Sequence, residues 1–204
     1  MIILALDTTS AFGSIALRSN GKTLAETPIH APEGFAHVLF TEIDRILKGT
    51  EVRFAEIDCF AAASGPGSFT GVRIGLSAVK GLAEAAGRRV AGVSNLRALS
   101  SFGNSPLRAV TLDARRGEVY AGIYNADLEP VTPEVVQPLE KWLLTLDPAF
   151  KYEFVSQTEP PRPLAAAVAL CAELDGLKDR WLDPADLDAN YVRRSDAELY
   201  WKDS

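Results

Sequence analysis

The stretch Ser64-Gly-Pro-Gly-Ser-Phe-Thr-Gly71 constrains this chain more than any other. It follows Asp58-Cys-Phe-Ala-Ala-Ala63, a nearly continuous apolar run that reads as a short strand buried on both faces of a sheet. Gly65 and Gly67 permit a positive φ or a close backbone approach, Pro66 fixes its own φ, and Ser68 is placed to cap a helix expected over 72–86. Strand, glycine turn and helix N-terminus together make either an anion cradle or a tight packing corner. No Gly-Lys-Ser/Thr follows, so the loop is not a Walker A.

On a 3.6-residue wheel the expected helix has one polar stripe, Arg73, Ser77, Lys80 and Glu84. Val72, Leu76, Val79 and Ala83 line a second face, and Gly71, Gly75, Ala78 and Leu82 a third. A helix lying on one sheet needs a single apolar stripe. The third face, built of small residues, is left for another helix, either one expected over 35–48 of the same chain or one from a partner.

Before that turn, Ile2 to Asp7, Phe12 to Arg18 and Thr23 to Ile29 read as an antiparallel meander, with Ser19-Asn-Gly21 as a hairpin turn. Phe35, Leu39, Ile43, Ile46 and Leu47 recur at helical spacing, and Gly49 is expected to end that helix. A strand over 89–93 and a short helix over 95–101 follow the central helix. From Leu107 the pattern starts over in degraded form: a hairpin of 107–113 and 118–125 around Arg115-Arg-Gly117, a short strand within 130–136, a helix over 138–146, a strand over 152–156 and a helix over 163–174. Trp181, Tyr191 and Trp201 are the expected anchors of a charged, proline-punctuated tail. An α/β chain of two lobes is expected, divided into 1–103 and 104–204.

At 204 residues the chain can bury a sizeable core. Its net charge of -6, with no Lys/Arg cluster longer than a pair, argues against autonomous nucleic-acid binding; any RNA has to be held by something else. Cys59 and Cys171 lie far apart in apolar surroundings and are expected to be buried free thiols. The opening Met-Ile-Ile-Leu-Ala-Leu-Asp7 meets a carboxylate too early for a signal peptide, and no apolar run reaches the length of a membrane span, so a cytoplasmic protein is expected.

Asp7-Thr-Thr-Ser10, Ser64-Gly-Pro-Gly-Ser-Phe-Thr-Gly-Val-Arg-Ile-Gly75, Gly92-Val-Ser94, Asp113-Ala-Arg-Arg-Gly-Glu-Val-Tyr120 and Tyr191-Val-Arg-Arg194, in this order, resemble the TsaB (YeaZ) family. The resemblance implies an actin-like ATPase (ASKHA) fold of two ribonuclease-H-like lobes, the second smaller and degenerate. It implies a non-catalytic subunit in bacterial synthesis of threonylcarbamoyladenosine at position 37 of tRNA. The implied partners are a TsaD-type catalytic subunit in a heterodimer and a TsaE-type ATPase in a larger complex, with a homodimer when alone and tRNA reached only through the complex.

The catalytic relative carries two metal-binding histidines four residues apart at a helix start. Asn95 and Leu99 stand at the matching positions here, and His30 and His37 lie well upstream, so neither a metal nor any other cofactor is expected. A peptidase would need that metal or a nucleophile with its own base, and neither signature is visible. Nucleotide binding at Asp7-Thr-Thr-Ser10 is the other alternative, against a plain strand-end turn with a capping role. The expected partner interface comprises Ala36, His37, Phe40, Thr41 and Asp44 on one helix and Arg73, Gly75, Ala78, Lys80 and Leu82 on the other, unless Phe40 and Leu82 cover one another within the monomer.

Overall fold

The computed structural model describes residues 1–192. Strands β1 (Ile2–Asp7), β2 (Phe12–Ser19) and β3 (Lys22–His30) form the meander, turned at Asn20 and Gly21, both at positive φ. Helix α1 (Leu39–Thr50) leads to β4 (Cys59–Gly65), which pairs parallel with β1. Helix α2 (Phe69–Ala86) returns the chain to β5 (Arg89–Ser94), parallel to β4, and the first sheet has the order β3-β2-β1-β4-β5.

After the short helix α3 (Asn95–Ser100) come β6 (Leu107–Asp113), β7 (Glu118–Asn125), β8 (Val135–Pro138), α4 (Leu139–Leu143), β9 (Glu153–Ser156) and α5 (Ala165–Gly176). The second sheet runs β8-β7-β6-β9, with β9 parallel to β6. Among the described residues it repeats the first sheet strand for strand, with no counterpart of the fifth. This is the actin-like plan of two ribonuclease-H-like lobes, the second reduced. The first sheet is drawn from residues 2–94 and the second from 107–156.

The first sheet is buried on both faces, as its apolar runs require. Ile3, Ala5, Cys59, Ala61 and Val93 face α5, while Leu4, Leu6, Phe60, Ala62 and Val90 join the core under α1 and α2. Both cysteines are buried and unpaired.

Helix α5 packs across the first sheet even though it follows a strand of the second. Its N-terminal amides are met by the first lobe: Ser14 Oγ accepts from the N–H groups of Leu164 (3.1 Å) and Ala165 (2.9 Å), and Glu26 accepts from Ala166 (2.8 Å). At its other end Glu173 takes the Arg18 guanidinium at 2.7 Å, and Asp175 holds Arg97 of α3 through two bonds of 2.7 and 3.0 Å.

Several expectations need correction. Helix α2 begins at Phe69, three residues before the expected 72, and α4 ends at Leu143, short of the expected 146. Helix α1 begins at Leu39, four residues later than Phe35, because residues 32–38 form turns after Pro32. Phe35 is buried all the same, its ring lying against Gly13. Gly49 stays inside α1, and the left-handed terminal position falls to Glu51, at φ 57°. The third strand of the second lobe is confined to Val135–Pro138; Pro130 contributes only an isolated bridge to Tyr124.

In the tail, the Trp181 indole donates to the carbonyl of Ala172 at 2.7 Å and packs against Gly176. Tyr191 reaches α2, as described below. Trp201 and the Arg193-Arg194 pair lie outside the described residues.

Candidate partner-binding surface

The glycine turn is a packing corner. Gly65 takes φ 103°, and a Cβ at Gly67 or Gly71 would lie 2.8 or 2.0 Å from the carbonyl oxygen of Thr9 or Thr8. Thr8 Oγ1 donates to the Gly71 carbonyl at 2.7 Å, and Ser68 N–H donates to the Thr9 carbonyl at 2.7 Å. Ser68 Oγ caps α2 by accepting from Gly71 N–H at 3.3 Å. The β1–β2 loop thus occupies the upper part of the small-residue face that the sequence leaves open for another helix. Gly75 is there too, buried with its missing Cβ only 2.6 Å from Thr8 Oγ1. It cannot belong to an outer interface.

The Asp7-Thr-Thr segment is itself an Asx-type turn. Asp7 Oδ1 accepts from the Thr9 N–H at 2.9 Å and from its hydroxyl at 2.7 Å. Burial pushes the Asp7 carboxyl upward, and those two Thr9 bonds act against the shift.

Asp7, Thr9, Asn95, Leu99, Asp113 and Glu159 line a cleft of about 370 Å³ between the two sheets. Its described lining has three carboxylates, those of Asp7, Asp113 and Glu159, and no Lys or Arg, a poor setting for a polyphosphate.

Asn95 is committed to structure. Its amide donates to Thr9 Oγ1 at 2.6 Å, and its carbonyl accepts from Gly65 N–H at 3.1 Å. Leu99 is fully buried, and its hydrocarbon side chain offers no ligand atom. His30 stacks on Phe12 with ring centroids 4.4 Å apart, and His37 is exposed. Burial pushes the Cys171 thiol to about 12 and raises that of Cys59 as well, which keeps both protonated and poorly nucleophilic at neutral pH.

The opposite face of the first sheet carries a different concavity. Between α1 and α2 runs a groove of about 570 Å³, lined by Ala36, Leu39 and Phe40 on one side and Phe69, Thr70, Arg73, Ile74, Ser77 and Ala78 on the other. Phe40 is 58% exposed and Phe69 49%, so Phe40 and Leu82 do not cover one another within the chain.

Of the residues expected at an interface, Ala36, Phe40, Arg73 and Ala78 line this groove. His37, Thr41 and Asp44 are exposed beside it, Asp44 pairing with Lys48 at 2.6 Å. Lys80 and Leu82 lie half-buried farther along α2. Phe69 and Ile74 were not singled out from sequence. Phe69 lay outside the helix expected over 72–86; a large apolar residue directly after the cap Ser68 is the signal that could have found it.

A two-lobed actin-like protein is defined by these features, one whose interlobe cleft is knitted by its own side chains and whose outer helices leave an apolar groove. The family model described as TsaD: tRNA N6-adenosine threonylcarbamoyltransferase matches residues 26–173. The tRNA threonylcarbamoyladenosine biosynthesis protein TsaB of Bacillus subtilis (strain 168) is 33% identical over 148 residues, 70% of this chain and 65% of that protein. TsaB of Escherichia coli (strain K12) is 35% identical over 131 residues, 62% of this chain and 56% of that protein. The structure of YeaZ from Pseudomonas aeruginosa superposes with a TM-score of 0.83 at 26% identity, covering 93% of this chain and 99% of that one. The chain belongs to this family, on its TsaB (YeaZ) branch. It spans between half and two thirds of the length of the two curated relatives named above.

Proposed function

We propose that this chain works in tRNA threonylcarbamoyladenosine biosynthesis as a non-catalytic subunit, pairing through the α1/α2 groove with a TsaD-type catalytic subunit. Alone, it pairs with itself through the same face. A TsaE-type ATPase joins the larger complex, tRNA is reached only through that complex, and the work is done in the cytoplasm.

The observation that carries this reading is the groove. It sets two Phe rings, each about half exposed, in an apolar concavity between helices, where each stands to gain roughly 25 cal/mol per Å² once a partner covers it. The chemistry of the cleft is consistent with a partner's role: the two positions that hold metal in the catalytic relative are occupied by a hydrogen-bonded Asn95 and a buried Leu99. Among the described residues no helix is long and apolar enough to cross a membrane.

The test is light scattering of the chain alone and mixed with the TsaD-type subunit of the same organism, followed by a tRNA threonylcarbamoylation assay with and without it. A heterodimer that Phe40→Asp prevents, together with modification that needs the chain, supports the proposal. Separate elution, with modification proceeding unaided, sinks it.

A further inference from the structure

We propose that Arg73 is a carboxylate-accepting anchor at the end of the α1/α2 groove, pre-positioned by tail residues Asn190 and Tyr191, and that the occupant is a partner helix bearing an Asp or Glu beside its apolar residues. The inference rests on the groove reading above and adds the chemistry of the partner. An exposed Arg on a helix ordinarily samples many rotamers. Here the guanidinium carbon stacks 3.8 Å above the Phe69 ring centroid, and Nε donates to the Tyr191 hydroxyl at 3.3 Å. Phe69 and Tyr191 pack on each other with centroids 5.9 Å apart. Plane and inner edge of the fork are thereby held.

The two terminal nitrogens of Arg73 make no hydrogen bond or ion pair among the described residues. Two parallel N–H groups on a fixed plane match the two oxygens of a carboxylate, a fit that a lysine ammonium cannot reproduce. Arg73 is also the single charged residue among the described residues lining the groove, on a chain whose net charge is -6. A helix that is apolar throughout would leave this cation covered and unpaired, whereas one with a carboxylate at that position completes it.

The tail supplies the clamp. Asn190 N–H donates to the Ser64 carbonyl at 2.8 Å, and its side-chain amide donates to Glu134 at 2.7 Å. The other Glu134 oxygen accepts from the hydroxyls of Ser94 and Tyr124. Tyr191 is therefore tied to both lobes before any partner arrives, which lowers the ordering cost of binding.

Calorimetric titration of the full chain with the TsaD-type subunit of the same organism tests this, each variant being checked for an unchanged melting temperature. Arg73→Met is expected to weaken pairing about tenfold or more, with Arg73→Lys recovering only part of the loss. Tyr191→Phe, which removes only the oxygen that takes Nε, is expected to weaken it about threefold. Raising salt from about 0.1 M to 0.5 M should weaken the wild type more than Arg73→Met. If Arg73→Met or Arg73→Lys pairs as tightly as the wild type while Phe40→Asp still fails, the anchor is refuted and the groove stands. If Phe40→Asp pairs as well, the groove reading falls with it.

Discussion

Helices α2 and α5 hold the same place in two copies of one plan, each following the strand that pairs parallel with the first strand of its lobe, yet they end in opposite environments. Helix α2 lies on its own sheet, caps itself with Ser68 and keeps one flank open as a groove. Helix α5 leaves its own sheet for the first lobe, where Ala165, Val168, Ala169, Cys171 and Ala172 are buried around its circumference. Its start is capped by Ser14 and Glu26 from the other lobe. The same topological position thus borders an exposed groove in one lobe and fills a shared core in the other. Sequence composition follows burial, not topology: α2 keeps a polar stripe, whereas α5 places its described charges only at its end.

The largest expected effect separates the two helices by charge insertion. Ala169→Asp puts a carboxylate where no water or partner reaches and should cost about 4 kcal/mol or more, seen as loss of soluble, cooperatively melting protein. Ser77→Asp on the open flank of α2 should leave the denaturation free energy within about 0.5 kcal/mol of the parent. Should Ala169→Asp melt like the parent, α5 is not the shared core described here.

Next in size is a contrast within α2 itself. Gly71→Ala drives a methyl to within 2.0 Å of the Thr8 carbonyl oxygen, and because backbone has to move, a loss of about 2–3 kcal/mol is expected in urea titration. Gly81 has nothing within 4 Å of its would-be Cβ, so Gly81→Ala should stabilise by about 0.5–1 kcal/mol.

Capping distinguishes the helices by a smaller margin. Ser14→Ala leaves two buried amides without an acceptor and should cost about 2 kcal/mol, against about 1 kcal/mol for Ser68→Ala, as read from denaturant midpoints. Equal losses would mean that solvent reaches the start of α5.

The smallest expected effect is a pH dependence just beyond the C-terminal end of α5. Arg180 and Lys178 hold the Glu129 carboxyl down at about 2, below its ordinary 4.5. A depressed carboxylate adds stability above its unfolded value and loses it as pH falls through the folded one, so this contribution is complete above about 4.5 and fades towards pH 2. Glu129→Gln should flatten that part of the stability profile, measured by thermal melts between pH 2 and 6.

Much of the first lobe was legible because its signals are local. Apolar runs, an Asn-Gly turn and a serine ahead of a glycine-flanked helix each state their structure within a few residues, and the second lobe could be read as a shortened repeat for the same reason. The groove was legible in part. Helical periodicity separates an outward flank from an inward one, which put Phe40 and Arg73 on the outward side but misplaced Gly75, since a small residue can face either outward or a close-packed loop. Phe69 escaped because the helix was expected to begin only at 72, and Tyr191, expected as a tail anchor, was not joined to it because it comes from 122 residues farther along the chain.

What the sequence by itself determined is the set of elements, the two-lobed plan and the family, because short-range patterning and motif spacing carry them. Only the tertiary structure decided that α5 crosses lobes, that Thr8 fills the space at Gly71 and Gly75, and that Glu134 holds Asn190 while Tyr191 bonds Arg73. These depend on groups distant in sequence meeting at hydrogen-bond or van der Waals range, and no local pattern encodes such a meeting.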